Sequence, residues 1–266
     1  MEVHVALAQM AVAVGEPDRN WATAQAMAAE AASRRADLLI LPELWPTGYD
    51  LARSEAYAAP LDHGAFGQMA ELAQAHGLYV VGTALEAGPT GRPFNTAALY
   101  GPTGERLGSY RKVHLWAPLG ETEHMTAGNA LPVFDLPWGR VALAICYDLR
   151  FPEQWRRYAL AGAELILIPA AWPARRIEHW RLLLRARAVE DQLFVVGCNR
   201  AGGGIDIPGD QFGGHSAVVD PWAQVLVEGD MEPGLLVARL DLGEVARSRH
   251  LFPFLKDRRP GVYQWV

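Results

Sequence analysis

The stretch GRVALAICYDLRFPEQWRRYALAGAELILIPAAW, residues 139–172, decides the fold. Its first part, GRVALAIC, is a continuous apolar run that predicts a strand buried on both faces. The segment PEQWRRYALAGA predicts a helix that ends near Gly162, and ELILIPAAW predicts a second buried strand. A strand, a helix and another strand in this order are typical of a parallel sheet covered by helices.

The same alternation extends to both sides of this unit. Residues 3–9 predict a strand, residues 20–33 a helix, and ADLLILPE, residues 36–43, a second buried strand. Downstream, residues 178–192 predict a helix and residues 193–200 a strand. Because hairpin patterns occur beside these buried units, we expect an α/β fold of layered sheets covered by helices.

Composition narrows the class of protein. The 266 residues are 50% hydrophobic and 20% charged, as in an ordered globular chain, and we find neither a repeat nor a linker. We therefore predict a single domain over residues 1–266, in which the residues after about 241 form a C-terminal tail. The formal net charge of -6 argues against a partner such as nucleic acid or an anionic membrane.

Cysteine usage and hydropathy predict the compartment. The chain has only two cysteines, Cys146 and Cys198, which favours a reducing environment over a disulfide-stapled secreted scaffold. No segment approaches the roughly 18 uninterrupted apolar residues that a membrane helix needs. We therefore expect a cytoplasmic protein that does not act at a membrane.

Three chemically reactive side chains fall at the ends of predicted strands. Glu43 ends LLILPE, Lys112 ends GSYRK and Cys146 ends VALAIC. Because ligands collect beyond the carboxyl ends of strands in α/β sheets, we expect these three side chains to converge. Taken singly, each also has a structural explanation: a surface carboxylate, a solvated lysine beside Arg111, and a core thiol.

The sequence around Cys146 favours a nucleophile. The run CYDLRFPE, residues 146–153, joins a strand to a helix, so backbone N–H groups and a positive helix end are expected to favour a thiolate. A thiol nucleophile needs a proton acceptor and a cation near the developing oxyanion, and Glu43 and Lys112 are residues of those types. Cys198 ends another apolar run and is expected to be a core thiol.

Three motifs in one order resemble those of the nitrilase, or carbon–nitrogen hydrolase, superfamily. They are LLILPELWPTGY with Glu43, YRKVHLW with Lys112 and AICYDLRFPE with Cys146, and the resemblance covers essentially the whole chain. GETEHMTAGN resembles the family's loop with a second glutamate, which implies that role for Glu121, with Glu123 as the alternative. The resemblance also implies a four-layer α-β-β-α sandwich and a homodimer or larger homo-oligomer.

The activity that this resemblance implies is thiol-dependent hydrolysis of a small primary amide to a carboxylate and ammonia. Cys146 would attack the carbonyl carbon, while Glu43 takes the thiol proton and passes it to the leaving ammonia. Lys112 and the backbone N–H of Tyr147 would stabilise the oxyanion. Glu121 would orient the substrate or Lys112, and its closeness to Glu43 is expected to raise the pKa of one carboxyl.

Three further stretches, CYDLRFPE, PAAWP and LLRARAVEDQLFVVGCNR, most resemble the ω-amidase branch of the superfamily. That branch deamidates 2-oxoacid ω-amides such as 2-oxoglutaramate. The alternatives are an N-carbamoyl-amine hydrolase, a deaminated-glutathione amidase, an aliphatic amidase, or a catalytically silent scaffold on the same fold. The related pattern usually has Asn where this chain has Asp191.

Four residues are predicted to bind the substrate. Arg150 is a candidate clamp for a carboxylate, since a guanidinium binds that group bidentately; alternatively it anchors the turn through a buried ion pair with Glu153 or another acid. Trp172 is predicted to wall the pocket, with core packing as the alternative, and Tyr49 to line its entrance. Tyr147 would contribute its N–H. Neither a metal nor a cofactor is predicted, because the histidines lack metal-ligand spacing and no dinucleotide motif is present.

Overall fold

A computed structural model describes residues 1–203 and 211–263 of the chain. The strands are β1 (Glu2–Gln9), β2 (Leu38–Ile40), β3 (Tyr79–Glu86), β4 (Phe94–Tyr100), β5 (Arg106–Arg111), β6 (Val133–Leu136), β7 (Gly139–Leu143), β8 (Leu165–Ala170), β9 (Phe194–Asn199), β10 (Ala201–Gly202), β11 (Phe212–Gly213), β12 (Ala217–Val219), β13 (Val225–Glu228) and β14 (Gly234–Asp241). The helices are α1 (Pro17–Ser33), α2 (Ser54–Tyr57), α3 (Gly64–His76), α4 (Glu121–His124), α5 (Pro152–Leu160), α6 (Ile177–Asp191), α7 (Gly243–Leu251) and α8 (Phe254–Asp257).

Two six-stranded sheets organise these elements. The first has the order β14-β1-β2-β3-β4-β5 and the second the order β13-β12-β9-β8-β7-β6, while β10 and β11 form a separate short ribbon. Each large sheet is parallel at its centre, through β1-β2-β3 and β7-β8-β9, and antiparallel towards its edges. The parallel segments are buried runs, as expected for strands covered on both faces.

The sheets pack face to face, with helices on the two outer faces. Alternate residues of β1 point to opposite sides: Val5 lies in the core between the sheets, whereas Ala6 packs beneath α1 and α3. The alanine-rich α1 suits close approach to this sheet, and its Ala24 and Ala28 are fully buried. On the far side, the Trp180 ring of α6 lies against Gly197 of β9. This arrangement confirms the predicted α-β-β-α sandwich.

The deciding stretch folds as its pattern predicts, with shorter elements. The strand over residues 139–146 stops at Leu143 as β7, the helix over 152–163 ends at Leu160 as α5, and the next strand is β8. The residues after Asp241 begin with α7, whose Val245 and Ser248 are buried against the body. Phe252 and Phe254, which follow, are exposed.

None of the helices within residues 1–203 and 211–263 is long and apolar enough to cross a membrane.

Candidate active site

The three strand-end residues meet at one buried place. Glu43 lies after β2 and Lys112 directly after β5 in the first sheet, whereas Cys146 lies after β7 in the second sheet. All three are at most 5% exposed. Nζ of Lys112 lies 2.7 Å from Oε1 of Glu43, so residues 69 positions apart form a buried ion pair. The site therefore lies where the two sheets face each other.

The Glu43 carboxylate is held from several directions. Besides Lys112, Oε1 accepts a hydrogen bond of 2.9 Å from Nδ2 of Asn95, and Oε2 accepts one of 3.1 Å from the backbone N–H of Ala171. Asn95 lies on β4 and Ala171 follows β8, so both sheets fix the orientation of this carboxylate. Sequence reasoning missed Asn95, because a single buried Asn within a strand gives no local signal.

Lys112 is shared between two carboxylates. Its Nζ donates hydrogen bonds to Glu43 and, at 2.6 Å, to Oε1 of Glu121. Burial alone lowers the pKa of Lys112, but the charges of Glu121 and Glu43 outweigh it, and the pKa lies above its ordinary value. Lys112 therefore carries a positive charge at physiological pH, which its predicted role in stabilising an oxyanion requires.

Glu121, rather than Glu123, occupies the buried site. Oε2 of Glu121 accepts a hydrogen bond of 2.7 Å from the N–H of Trp116, and Oε1 accepts one of 2.9 Å from the Tyr49 hydroxyl. Burial raises the pKa of Glu121, the attraction of Lys112 opposes this, and the nearby Glu43 charge adds to the increase. Glu123 is exposed to solvent.

The Cys146 backbone adopts a left-handed conformation. Its φ is +44°, which is uncommon for any residue except glycine, and it follows Ile145 in an extended conformation. Cys146 begins a 3-10 turn, Cys146–Arg150, and the N–H of Ile145 donates to Oδ2 of Asp148 at 2.9 Å. Strained backbone of this kind persists where surrounding structure determines it, and it is concentrated at functional sites.

The surroundings of Cys146 oppose the thiolate that the turn alone is expected to favour. Burial is the largest effect and raises the pKa of the Cys146 thiol well above 9.0; the negative charge of Glu43 raises it further. Lys112 and the N–H of Ala171 offset only part of this increase. The sulfur is thus a thiol at rest, hydrogen-bonded with Glu43, and must lose its proton during attack.

Cys198 has the surroundings of a core thiol, as predicted. It is fully buried on β9, and its Sγ donates to the carbonyl oxygens of Ala8 and Ile40 at 3.3 Å and 3.2 Å. Burial raises the pKa of this thiol as well. It contacts the first sheet from the core and does not line the pocket of Cys146.

A pocket opens onto Cys146. Its walls include Tyr147, Arg150, Trp172, Trp116 and Arg176. The Arg150 guanidinium carbon lies 4.6 Å from the centre of a Trp172 ring, a cation–π contact. Among the described residues Arg150 has no carboxylate partner, so the alternative pairing with Glu153 does not form there.

The other predicted binding residues divide between the pocket and its support. Tyr147 and Trp172 line the pocket, and the buried Trp172 ring also packs in the core, with its centre 5.5 Å from that of Trp180. The Tyr49 side chain instead contacts Glu121 through its hydroxyl. Arg176 also lines the pocket, although an arginine in a short turn between a strand and a helix gives no local signal in the sequence.

Metal ligation has no candidate in the part of the chain that the structure describes. There, no three His, Cys, Asp or Glu side chains are grouped so that they could hold a metal ion. The site is a set of proton-transfer and charge-stabilising groups around a thiol.

Comparison with known proteins decides the family. The family model "Carbon-nitrogen hydrolase" matches residues 4–250. The chain belongs to the carbon–nitrogen hydrolase family. A 2-oxoglutaramate amidase of Bacillus subtilis (strain 168) is 36% identical to this carbon–nitrogen hydrolase over 263 residues, which cover 99% of this chain and 100% of the relative. Omega-amidase NIT2 of Mus musculus is 33% identical over 97% of this chain and 96% of its own.

A solved structure adds a chemical observation. It is a variant of the amidase from Nesterenkonia sp. AN1, in which acrylamide has undergone Michael addition at the active-site cysteine. It shares 32% identity with this carbon–nitrogen hydrolase, has a TM-score of 0.86, and covers 98% of both chains. Family, fold and amidase relatives together make this chain a cysteine-dependent amidase, as the motifs predicted.

Proposed function

We propose that this amidase is an ω-amidase, which hydrolyses 2-oxoacid ω-amides such as 2-oxoglutaramate to the dicarboxylate and ammonia. The observation that carries the proposal is Arg150 in the Cys146 pocket: its guanidinium is stacked on Trp172 and has no carboxylate partner among the described residues. A half-buried cation of this kind suits the carboxylate at the far end of such a substrate. The names of the Bacillus and Mus relatives support the same substrate class.

The first half of the reaction follows from the site's contacts. The Cys146 sulfur attacks the amide carbon as Glu43 takes the thiol proton, so no free thiolate has to form beforehand. Negative charge moves to the amide oxygen, where the Lys112 ammonium and the N–H of Tyr147 stabilise it. Glu121 is a positioning residue, because its carboxylate also accepts a hydrogen bond from the Lys112 ammonium.

The second half returns the proton. Protonated Glu43 gives it to the leaving nitrogen, the carbon–nitrogen bond breaks, and ammonia departs from a thioester on Cys146. Glu43, again a carboxylate, takes a proton from water as the water oxygen attacks the thioester carbon. The carbon–sulfur bond then breaks, and the proton on Glu43 restores the thiol. Glu43 thus acts alternately as the base and as the acid. It can do so because hydrogen bonds from Asn95 and Ala171 hold its carboxylate in place.

Ammonia release tests this proposal. Wild-type protein, Cys146→Ala and Cys198→Ala are compared on 2-oxoglutaramate, glutamine, a simple aliphatic amide and an N-carbamoyl amino acid. We expect the oxoacid amide to be hydrolysed fastest by the wild type and by Cys198→Ala, and not at all by Cys146→Ala. Preference for another amide would overturn the ω-amidase assignment, and activity in Cys146→Ala would overturn the nucleophile.

Compartment and assembly belong to the same proposal. We propose a cytoplasmic enzyme that forms a homodimer or larger homo-oligomer. Exposed apolar side chains support self-association: Leu182 on α6 is 67% exposed, and Leu251 at the end of α7 is 64% exposed. Sedimentation of the purified protein at micromolar concentration tests this, and a monomer under those conditions would contradict it.

A further inference from the structure

Arg176 is a second arginine in the pocket, and it approaches from a different element. It ends the short 3-10 turn Ala174–Arg176 after β8, whereas Arg150 belongs to the turn that begins at Cys146. Its guanidinium carbon lies 5.1 Å from the centre of a Trp116 ring. Like Arg150, Arg176 has no carboxylate partner among the residues described.

Both guanidinium groups are held by tryptophans that are themselves fixed. The Trp172 indole N–H, beneath Arg150, donates a hydrogen bond of 2.8 Å to the carbonyl oxygen of Arg176. The Trp116 backbone N–H, beside Arg176, donates to Glu121. Both arginines that line the pocket are thus positioned in advance, which lowers the entropy cost of ordering them around a ligand.

Two like charges that face one pocket raise its electrostatic free energy unless an anion binds. The charge of Arg176, after burial, contributes to the lowered pKa of Arg150, so the two groups are close enough to repel. No acidic side chain lines this pocket in the described part of the chain. An anion with several oxygens relieves the repulsion by accepting hydrogen bonds from both.

We propose that Arg176 is a specificity-determining residue that binds the substrate's carboxylate together with Arg150, and so restricts the enzyme to amides that carry a second, anionic end. This inference rests on the proposed function for the identity of the substrate. The binding of a carboxylate by the two arginines is independent of that function, because any short dicarboxylate presents the same group to the pocket. Neutral amides reach the same nucleophile but lack the group that both arginines bind.

The test uses Arg176→Met, which keeps an unbranched side chain over Trp116 and removes the charge. Arg157→Met is the matched control, since Arg157 is exposed on α5 and does not line the pocket. Glutarate, which cannot be hydrolysed, is the binding probe in calorimetry. We expect wild type and Arg157→Met to bind it equally and Arg176→Met to bind it at least about tenfold more weakly, the loss of one charged hydrogen-bond donor.

Kinetics supply the second readout. For 2-oxoglutaramate we expect Arg176→Met to raise KM about tenfold or more with little change in kcat, and for a neutral aliphatic amide we expect a much smaller effect on kcat/KM. Unchanged glutarate binding in folded Arg176→Met, or an equal loss of activity on neutral and anionic amides, would overturn the role of Arg176. If 2-oxoglutaramate is not hydrolysed while glutarate binding still depends on Arg176, the proposed function fails and the carboxylate site stands.

Discussion

The hydroxyl of Tyr110 donates a hydrogen bond of 2.7 Å to Oδ2 of Asp148, and this buried contact links the two sheets. Tyr110 is on β5, two residues before Lys112, and Asp148 lies two residues after Cys146. Asp148 also accepts from the N–H of Ile145 and, through Oδ1, from the N–H and ring of His114. The segment that carries Lys112 is therefore tied on both sides to the turn that carries Cys146.

Replacement of Asp148 by Asn tests this brace. All groups around the Asp148 carboxylate are donors, so an amide NH₂ would face donors and leave one or more hydrogen bonds unmade, at about 1–3 kcal/mol each. We expect kcat/KM to fall at least about tenfold and the rate of Cys146 labelling by acrylamide to change in the folded protein. Asp135→Asn, at an exposed aspartate, is the control. Full activity per folded Asp148→Asn molecule would contradict a positioning role.

The protonation of Cys146 predicts how its alkylation depends on pH. Because the pKa of the thiol lies well above 9.0, the thiolate fraction, and with it the iodoacetamide rate, should rise about tenfold per pH unit from 7 to 9. The alkylation rate is measured in Cys198→Ala protein, in which Cys146 is the only remaining cysteine. A plateau near neutral pH would show a resting thiolate.

Glu43→Gln gives the matched comparison for that experiment. It removes the negative charge that helps to raise the pKa of the thiol, so labelling at pH 8 should become severalfold faster. The same change removes the proton acceptor, and amide hydrolysis should fall by about 10²–10⁴-fold. Slower labelling together with lost hydrolysis would instead indicate that Glu43 supports the sulfur's reactivity in the resting enzyme.

The buried Glu121 and the exposed Glu123 form a natural pair for mutation. Glu121→Gln removes the largest attraction that raises the pKa of Lys112, so the basic limb of the pH–rate profile should move to lower pH and kcat should fall about tenfold or more. Glu123→Gln should stay within about twofold of wild type, as surface changes usually do. Equal profiles for the two variants would contradict the assignment of Glu121.

Asp191 makes stability depend on pH with an unusual sign. It is 1% exposed at the end of α6, where the helix dipole disfavours a negative charge; burial raises its pKa to about 7, and Arg156 at 3.2 Å only partly compensates. The folded state therefore holds a proton that the unfolded chain has already lost between about pH 4 and 7. Stability from this group falls as pH rises through that window, and the full cost is present above it.

Asp191→Asn removes that cost, because the amide is neutral at every pH in this range. We expect urea unfolding to show a gain on the order of 2–4 kcal/mol at pH 8 and almost none near pH 4. Asp62→Asn, at a largely exposed aspartate, should show no such pH dependence. A gain of equal size at both pH values would show that the effect is not due to the charge of Asp191.

The fold and the three strand-end residues could be predicted because their signals are local. Apolar runs and hairpin patterns predict the strands, and Glu43, Lys112 and Cys146 each follow one of them. The surroundings of these residues depend on contacts between parts of the chain that are far apart in sequence. Asn95 contacts Glu43 across 52 positions, and Arg176 contacts Trp116 across 60. For the same reason, the expectation that the turn favours a thiolate considers the turn alone, and not the burial and the Glu43 charge that oppose ionisation.

The site is divided between the sheets, with Glu43 and Lys112 on one and Cys146 on the other. A sliding movement of one sheet over the other by a fraction of an ångström would leave every strand intact and yet separate the sulfur from its proton acceptor. Catalytic activity therefore depends directly on how firmly the two sheets pack against each other. Mild urea or heat that loosens the packing of the two sheets should abolish amidase activity while the circular dichroism spectrum is still that of the native protein.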